Sequence, residues 1–178
     1  YKIRNERKVD IETSPPIVVY METVQKEGPE LEGKSPNKHN KFKLSAEPLD
    51  AEFLEKLSES KLHLKIRELK DKDVIEKLIN MGFEREESKK TWCIHNNSLL
   101  VDSTRGIQAL YEVKELIIQA FQDTMDAGPL AKEKCMGIKV DLEDATLHED
   151  AIHRGPAQVL PAVGRSIFAA MMLADPIL

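Results

Sequence analysis

His148, Asp150 and His153 share the segment HEDAIH, and imidazoles beside a carboxylate can hold a divalent metal that activates water. The nearest chemical template is the HExxH motif of zinc hydrolases, whose histidines stand four apart on one helical face. Here the histidines are five apart, which on an α-helix would turn them away from each other by ~140°. Gly155-Pro156 follows at once and argues against a helix through them. Spacing alone therefore favours a polar turn carrying two surface histidines. A metal-dependent hydrolase using His148, Asp150 and His153 is the rival reading.

A second cluster runs from Gly33 to Lys43 (GKSPNKHNKFK), with four lysines and no acid in an otherwise acidic chain. Lysines on a loop are natural phosphate partners, which admits a generic RNA-binding module, although such a run is by default a solvated linker. A third, Asp102-Ser103-Thr104-Arg105-Gly106, precedes an apolar-periodic segment. Ser103 or Thr104 is expected to cap that helix, where an anion could also bind. No GxxxxGK[ST], GxGxxG or GxSxG pattern occurs, so neither a phosphate cradle nor a serine nucleophile of a familiar type is present. No catalytic residue, metal site or cofactor is expected in this chain.

The elements that must position these groups follow from periodicity. Lys2–Glu12 has the alternation of an edge strand, broken at Ser14-Pro15-Pro16. Ile17–Val24 is β-branched and aromatic, hence a strand. Glu27–Asn40 is expected to be a loop and Lys41–Ala46 a strand. Asp50–Ser58 puts Phe53, Leu54 and Leu57 on one helical face, and Asp71–Met81 does so with Val74, Leu78 and Met81, with Asp73 as the expected cap. Trp92–His95 and Leu99–Asp102 form a hairpin around Asn96-Asn97. The strongest helix spans Ile107–Asp126, striped by Leu110, Val113, Ile117, Phe121 and Met125, and Gly128-Pro129 ends it. Gly137–Leu147 alternates as a strand, His148–Pro156 turns, and from Ala157 a second helix presents Val159, Val163, Ile167 and Met171. The sum is an α+β sandwich with helices on one face of a sheet.

The chain has 178 residues, enough for one substantial domain, and a formal net charge of -5. An acidic chain is a poor general nucleic-acid binder, so any RNA contact must come from a local basic patch. Cys93 and Cys135 are isolated thiols without a CxxC pair, which fits a reduced, cytoplasmic setting. The start, YKIRNERKVD, has no apolar h-region, so no signal peptide is expected. Opening on Tyr1 instead of Met is what a piece of a longer protein would show. Arg165, Asp175, Pro156, Pro161 and Pro176 interrupt the apolar C-terminal stretch, so no membrane span is expected.

Four segments in order resemble the fourth domain of translation elongation factor 2 in its archaeal form: PPIVVYMETV, GKSPNKHNKF, STRGIQALYEVKELIIQAF and LHEDAIHRGPAQVLPAVGRSIFAAM. The likeness runs from Ser14 onward, and its most specific part is AIHRG. The Gly155-Pro156-Ala157 after Arg154 resembles archaeal members. The resemblance implies that residues 1–13 end the third domain and residues 14–178 form the fourth, an elongated α+β sandwich with a left-handed βαβ crossover. It implies that His153 is the residue converted to diphthamide and the target of ADP-ribosylating toxins. His148, Asp150, Arg154 and Gly155 would share its tip loop, and Lys34, Ser35, Pro36, Asn37, Lys38, His39 and Asn40 would form the neighbouring one. Implied partners are the ribosome, through small-subunit decoding-centre RNA and the mRNA–tRNA duplex, and the diphthamide-synthesis enzymes. A monomer is expected. GTP and Mg would belong to a separate domain, so the fragment itself is not an enzyme. Gly164 departs from the family, which usually carries an arginine there.

Overall fold

In LysPheLysLeuSerAla, Lys41 to Ala46, apolar and polar residues alternate, and the pleat of a strand sends Phe42, Leu44 and Ala46 to one face. They are fully buried. The computed structural model describes residues 19–60, 62 and 72–178. The expected edge strand, the Ser14–Pro16 junction and the boundary at residue 13 lie outside the described residues.

The chain forms β1 (Thr23–Val24), β2 (Leu31–Lys34), β3 (Lys41–Pro48), α1 (Ala51–Ser60), α2 (Lys72–Asn80), α3 (Arg85–Lys90), β4 (Thr91–His95), β5 (Ser98–Asp102), α4 (Leu110–Asp126), β6 (Ile138–Thr146), α5 (Pro156–Leu173) and β7 (Pro176–Ile177). A single 3-10 turn, Ala151–Arg154, stands between β6 and α5. One sheet has the order β2-β3-β6-β5-β4, and β1 pairs with β7 in a second, two-stranded sheet. The β5–β6 pair is parallel and the others are antiparallel. Parallel neighbours need a crossover, and α4 supplies it, making β5-α4-β6 a βαβ unit. The fold is α+β.

The main core lies between the sheet and α4 and α5, where Phe121, Ile117 and Met125 meet Val163, Ile167 and Met171 over Val140 and Leu142. The stripes expected on both helices are buried. Helix α5 is long and apolar enough to cross a membrane by length and composition, but the sheet takes up its apolar face.

Helices were expected on one face only, and here the structure differs. Leu99, Val101 and Ile94 point away from the main core and pack with Phe53, Leu57, Val74 and Leu78 of α1 and α2. β5 is apolar at consecutive positions, which is the mark of a strand covered on both faces. Asp50 caps α1, accepting from the amides of Glu52 and Phe53. Asp73 sits inside the first turn of α2, where it meets the helix dipole, and it makes no capping hydrogen bond among the described residues. Asn96 and Asn97 have positive φ, 48° and 54°, as the tight hairpin turn requires.

Two other expectations are corrected. Of Ile17–Val24, only Thr23–Val24 is strand among the described residues, because its partner β7 offers just Pro176 and Ile177. Within the expected loop at Glu27–Asn40 lies β2, whose Gly33 lets α5 approach. A Cβ there would stand 1.7 Å from Ser166 Oγ and 2.8 Å from the Ala162 carbonyl. Glycine and glutamate are poor strand formers, so this strand is made by its neighbours.

Beside the second core, Lys139 pairs with Glu47 and Glu87, each at 2.6 Å, and with Asp141 at 3.3 Å. Burial alone would lower the Lys139 pKa. Hydrogen bonds to Glu47 and Glu87 outweigh that and hold its ammonium above the ordinary lysine range. Burial pushes Asp141 up to about 6, against the pull of Lys139. A raised folded-state pKa means the native chain holds this proton more tightly than the unfolded chain. Asp141 therefore supports the fold at low pH and withdraws that support as pH climbs from about 4 to about 6. Asp141→Asn should raise stability at neutral pH by up to ~2 kcal/mol and flatten the profile across that window. Urea midpoints of both proteins at two pH values check this; an Asn variant less stable at pH ~7 than the parent contradicts it.

Candidate functional site

The residues singled out as candidates converge at one end of the sheet, where the β2–β3 connection meets the β6–α5 connection. Two side-chain amides join them. Asn40 is fully buried; its Nδ2 donates to the His153 carbonyl at 2.8 Å, and its Oδ1 accepts from the His148 amide at 3.1 Å. Asn37 Nδ2 donates to the same His153 carbonyl at 3.1 Å, and the Asn37 amide donates to Gln158 Oε1 at 2.9 Å. Ser35, also buried, donates to Asn37 Oδ1 and accepts from the Asn40 amide at 3.0 Å. Lys38 sits at the corner of this loop with φ 62°.

On the other strip, Asp150 opens the 3-10 turn, its Oδ1 accepting from the Ile152 amide at 3.1 Å. Asp150 N–H donates to His148 Nδ1 at 3.0 Å, so the proton of a neutral His148 ring belongs on Nε2. Arg154 is buried and spends its guanidinium on the His148 carbonyl, at 2.9 Å, and on Glu112 of α4. Its Nε has no partner among the described residues. Gly155 precedes Pro156 with φ -69° and ψ 170°, the extended geometry that proline imposes on the residue before it.

Three rings meet above this frame. His39 stacks on His148 with centroids 4.9 Å apart, His153 meets His148 edge-on at 4.4 Å, and His39 meets His153 at 5.0 Å. His153 is half-buried among them, less open than a bare turn residue would be, while Ile152 beside it is 78% exposed. Among the described residues, the ring nitrogens of His153 make no hydrogen bond.

This geometry sorts the candidates. Ser35, Asn40 and Arg154 are interior and shape the loops. Lys34, Pro36, Lys38, His39 and Asp150 are exposed, with Asn37, His148, His153 and Gly155 between. Lys34 and Lys41 share Glu32 at 3.6 and 3.8 Å, loose and solvated pairs that a phosphate can replace at little cost. The triad of the hydrolase reading is not assembled: the ligand atoms that lie together are those of His39, His148 and His153, without Asp150. Nor do Ser103 and Thr104 cap α4. The helix begins at Leu110 with Ala109 at its cap position and no side-chain cap bond, while Thr104 bonds Asp102 and Ser103 bonds Asp141. Gln158 and Glu112 are the tip residues that the sequence did not single out. Each bonds a partner far away in the chain, and no local pattern marks that.

A family model described as elongation factor G, domain IV, matches residues 63–175. The chain belongs to that family. Among its relatives are proteins named elongation factor 2 from Thermoplasma volcanium, 48% identical over 100% of this chain, and from Methanosphaera stadtmanae, 46% over 100%. A third, from Methanocaldococcus jannaschii, is 48% identical over 99% of the chain. The chain spans 24% of the length of each of these curated relatives. The archaeal-type likeness of the elongation factor 2 motifs is thus repeated along the whole sequence. Gly164 does not face the tip: a Cβ there would touch Thr124 of α4 at 3.9 Å, so it belongs to the packing of the two long helices.

Proposed function

We propose that this chain is the ribosome-contacting tip domain of an elongation factor 2, promoting GTP-dependent translocation of tRNA and mRNA, with His153 as its diphthamide residue. The observation that carries the reading is how His153 is held. Its carbonyl is clamped by Asn37 and Asn40, while its ring nitrogens make no hydrogen bond among the described residues. A backbone fixed by buried amides and an uncommitted imidazole suit a residue that is chemically extended and then presented to a partner.

The work of such a domain is mechanical. GTP and Mg would bind and turn over in a separate domain of the factor, and the resulting motion would carry the tip into the decoding centre of the small subunit. There, diphthamide would add a quaternary ammonium beside Lys34, Lys38 and Lys41, and help part the codon–anticodon duplex from decoding-centre RNA. An acidic domain with a basic tip favours placement at one site over indiscriminate RNA binding. The factor would act in the cytoplasm as a monomer, away from membranes, and the diphthamide-synthesis enzymes and ADP-ribosylating toxins would meet it at His153.

Tethered probing tests this. Burial pushes the thiols of Cys93 and Cys135 up to about 12, so neither reacts readily at neutral pH. A cysteine at the exposed position in Ile152→Cys therefore takes a hydroxyl-radical probe selectively, in the intact factor cleared of other exposed thiols. On pre-translocation ribosomes, cleavage should concentrate in decoding-centre RNA. Cleavage scattered over the ribosome, unchanged by GTP, contradicts the reading.

A further inference from the structure

His39, His148 and His153 each present a ring nitrogen, and these atoms all lie within 4.8 Å of one another. Around a tetrahedral ion with metal–nitrogen bonds of ~2.1 Å, ligand nitrogens stand ~3.4 Å apart. Closing the remaining gap takes ångström-scale ring movements. His39 is exposed on its loop and free to supply much of that. The backbones behind the rings are already fixed, because Asn40 bonds both the His153 carbonyl and the His148 amide. Ligands preorganised on two chain segments bind an ion more tightly than scattered surface histidines.

We propose that His39, His148 and His153 form a binding site for one divalent transition-metal ion of the zinc class in the unmodified protein. Three imidazoles without a carboxylate suit zinc, nickel or copper and discriminate against magnesium and calcium, which take oxygen ligands. The fourth position faces solvent and is open to water or a phosphate oxygen. The ion ties the 35–40 loop to the 148–153 turn and occupies the very ring that diphthamide formation would need. Only that last consequence rests on the proposed function; binding itself does not. His148 cannot ligate while its Nδ1 accepts from Asp150, since a neutral ring then carries its proton on Nε2. Ion binding therefore releases the Asp150 amide.

Zinc titration of the metal-stripped, unmodified chain by calorimetry, with amide spectra recorded in parallel, tests the site. The expected result is one ion per chain with a dissociation constant of ~10 µM or tighter. His39→Ala, His148→Ala and His153→Ala should each weaken binding at least ~10-fold. His95→Ala should not, because His95 pairs with Asp126 elsewhere. Circular dichroism confirms that each variant is folded, and the Asp150 amide resonance should move on zinc addition. No saturable binding below ~0.1 mM, or a site whose affinity none of the three substitutions changes, overturns the proposal.

Discussion

His153→Ala in the intact factor should abolish ADP-ribose transfer by a diphthamide-directed toxin completely, yet leave the domain's stability within ~1 kcal/mol of the parent. The two halves of that result come from different atoms of one residue. What holds residue 153 in place is its backbone: the carbonyl receives Asn37 and Asn40 and the amide donates to the Asp150 carbonyl. Alanine keeps all of these. What it loses is a half-buried ring touching two other imidazoles, contacts at the domain's edge with little apolar core behind them. Toxin-catalysed incorporation of labelled ADP-ribose and a urea melt, run on the same preparations, read the two halves separately. Label retained on the alanine protein places the modified residue elsewhere. A large loss of stability shows that the ring has a structural role.

The second large effect runs the other way. Asn40→Ala should cost ~2–4 kcal/mol and disorder the tip. Asn40 is fully buried, and its side chain serves the His153 carbonyl, the His148 amide and Ser35 Oγ. Truncation strands the His148 N–H with no acceptor and leaves Asn37 as the sole donor to the His153 carbonyl. The part-buried His148 N–H loses its acceptor, and the bonds to the His153 carbonyl and Ser35 Oγ go with it, which is why the loss exceeds that of a typical hydrogen bond. The modifying enzymes should then find a poor substrate, with His153 still present but no longer presented. A urea midpoint equal to that of the parent contradicts this role. Normal modification of a destabilised variant separates folding of the tip from recognition.

Much of this architecture was legible in the sequence because it rests on local periodicity. The stripe on α4, the alternation of β6 and the Asn96-Asn97 turn each depend on residues a few positions apart. What stayed hidden depends on partners far away in the chain. β2 exists because Gly33 admits Ser166 and Ala162 of α5, and nothing within Leu31–Lys34 announces it. α4 starts at Leu110 and not at Ile107, and Ser103 does not cap it because its hydroxyl bonds Asp141 on β6. At the tip, spacing correctly placed His148 and His153 in a turn. It could not show that His39, more than a hundred residues earlier, would complete their cluster, nor that Arg154 would turn inward to Glu112. A basic residue beside a candidate histidine invites a phosphate role, and only the fold shows which guanidinium is already taken.

The most direct test of the central claim is a mass spectrum of the proteolytic peptide that contains His153, taken from the factor purified from its native host. The account predicts the diphthamide mass increment, localised by fragmentation to His153 and to neither His148 nor His39. An unmodified His153 in native material, or an increment carried by another residue, contradicts it.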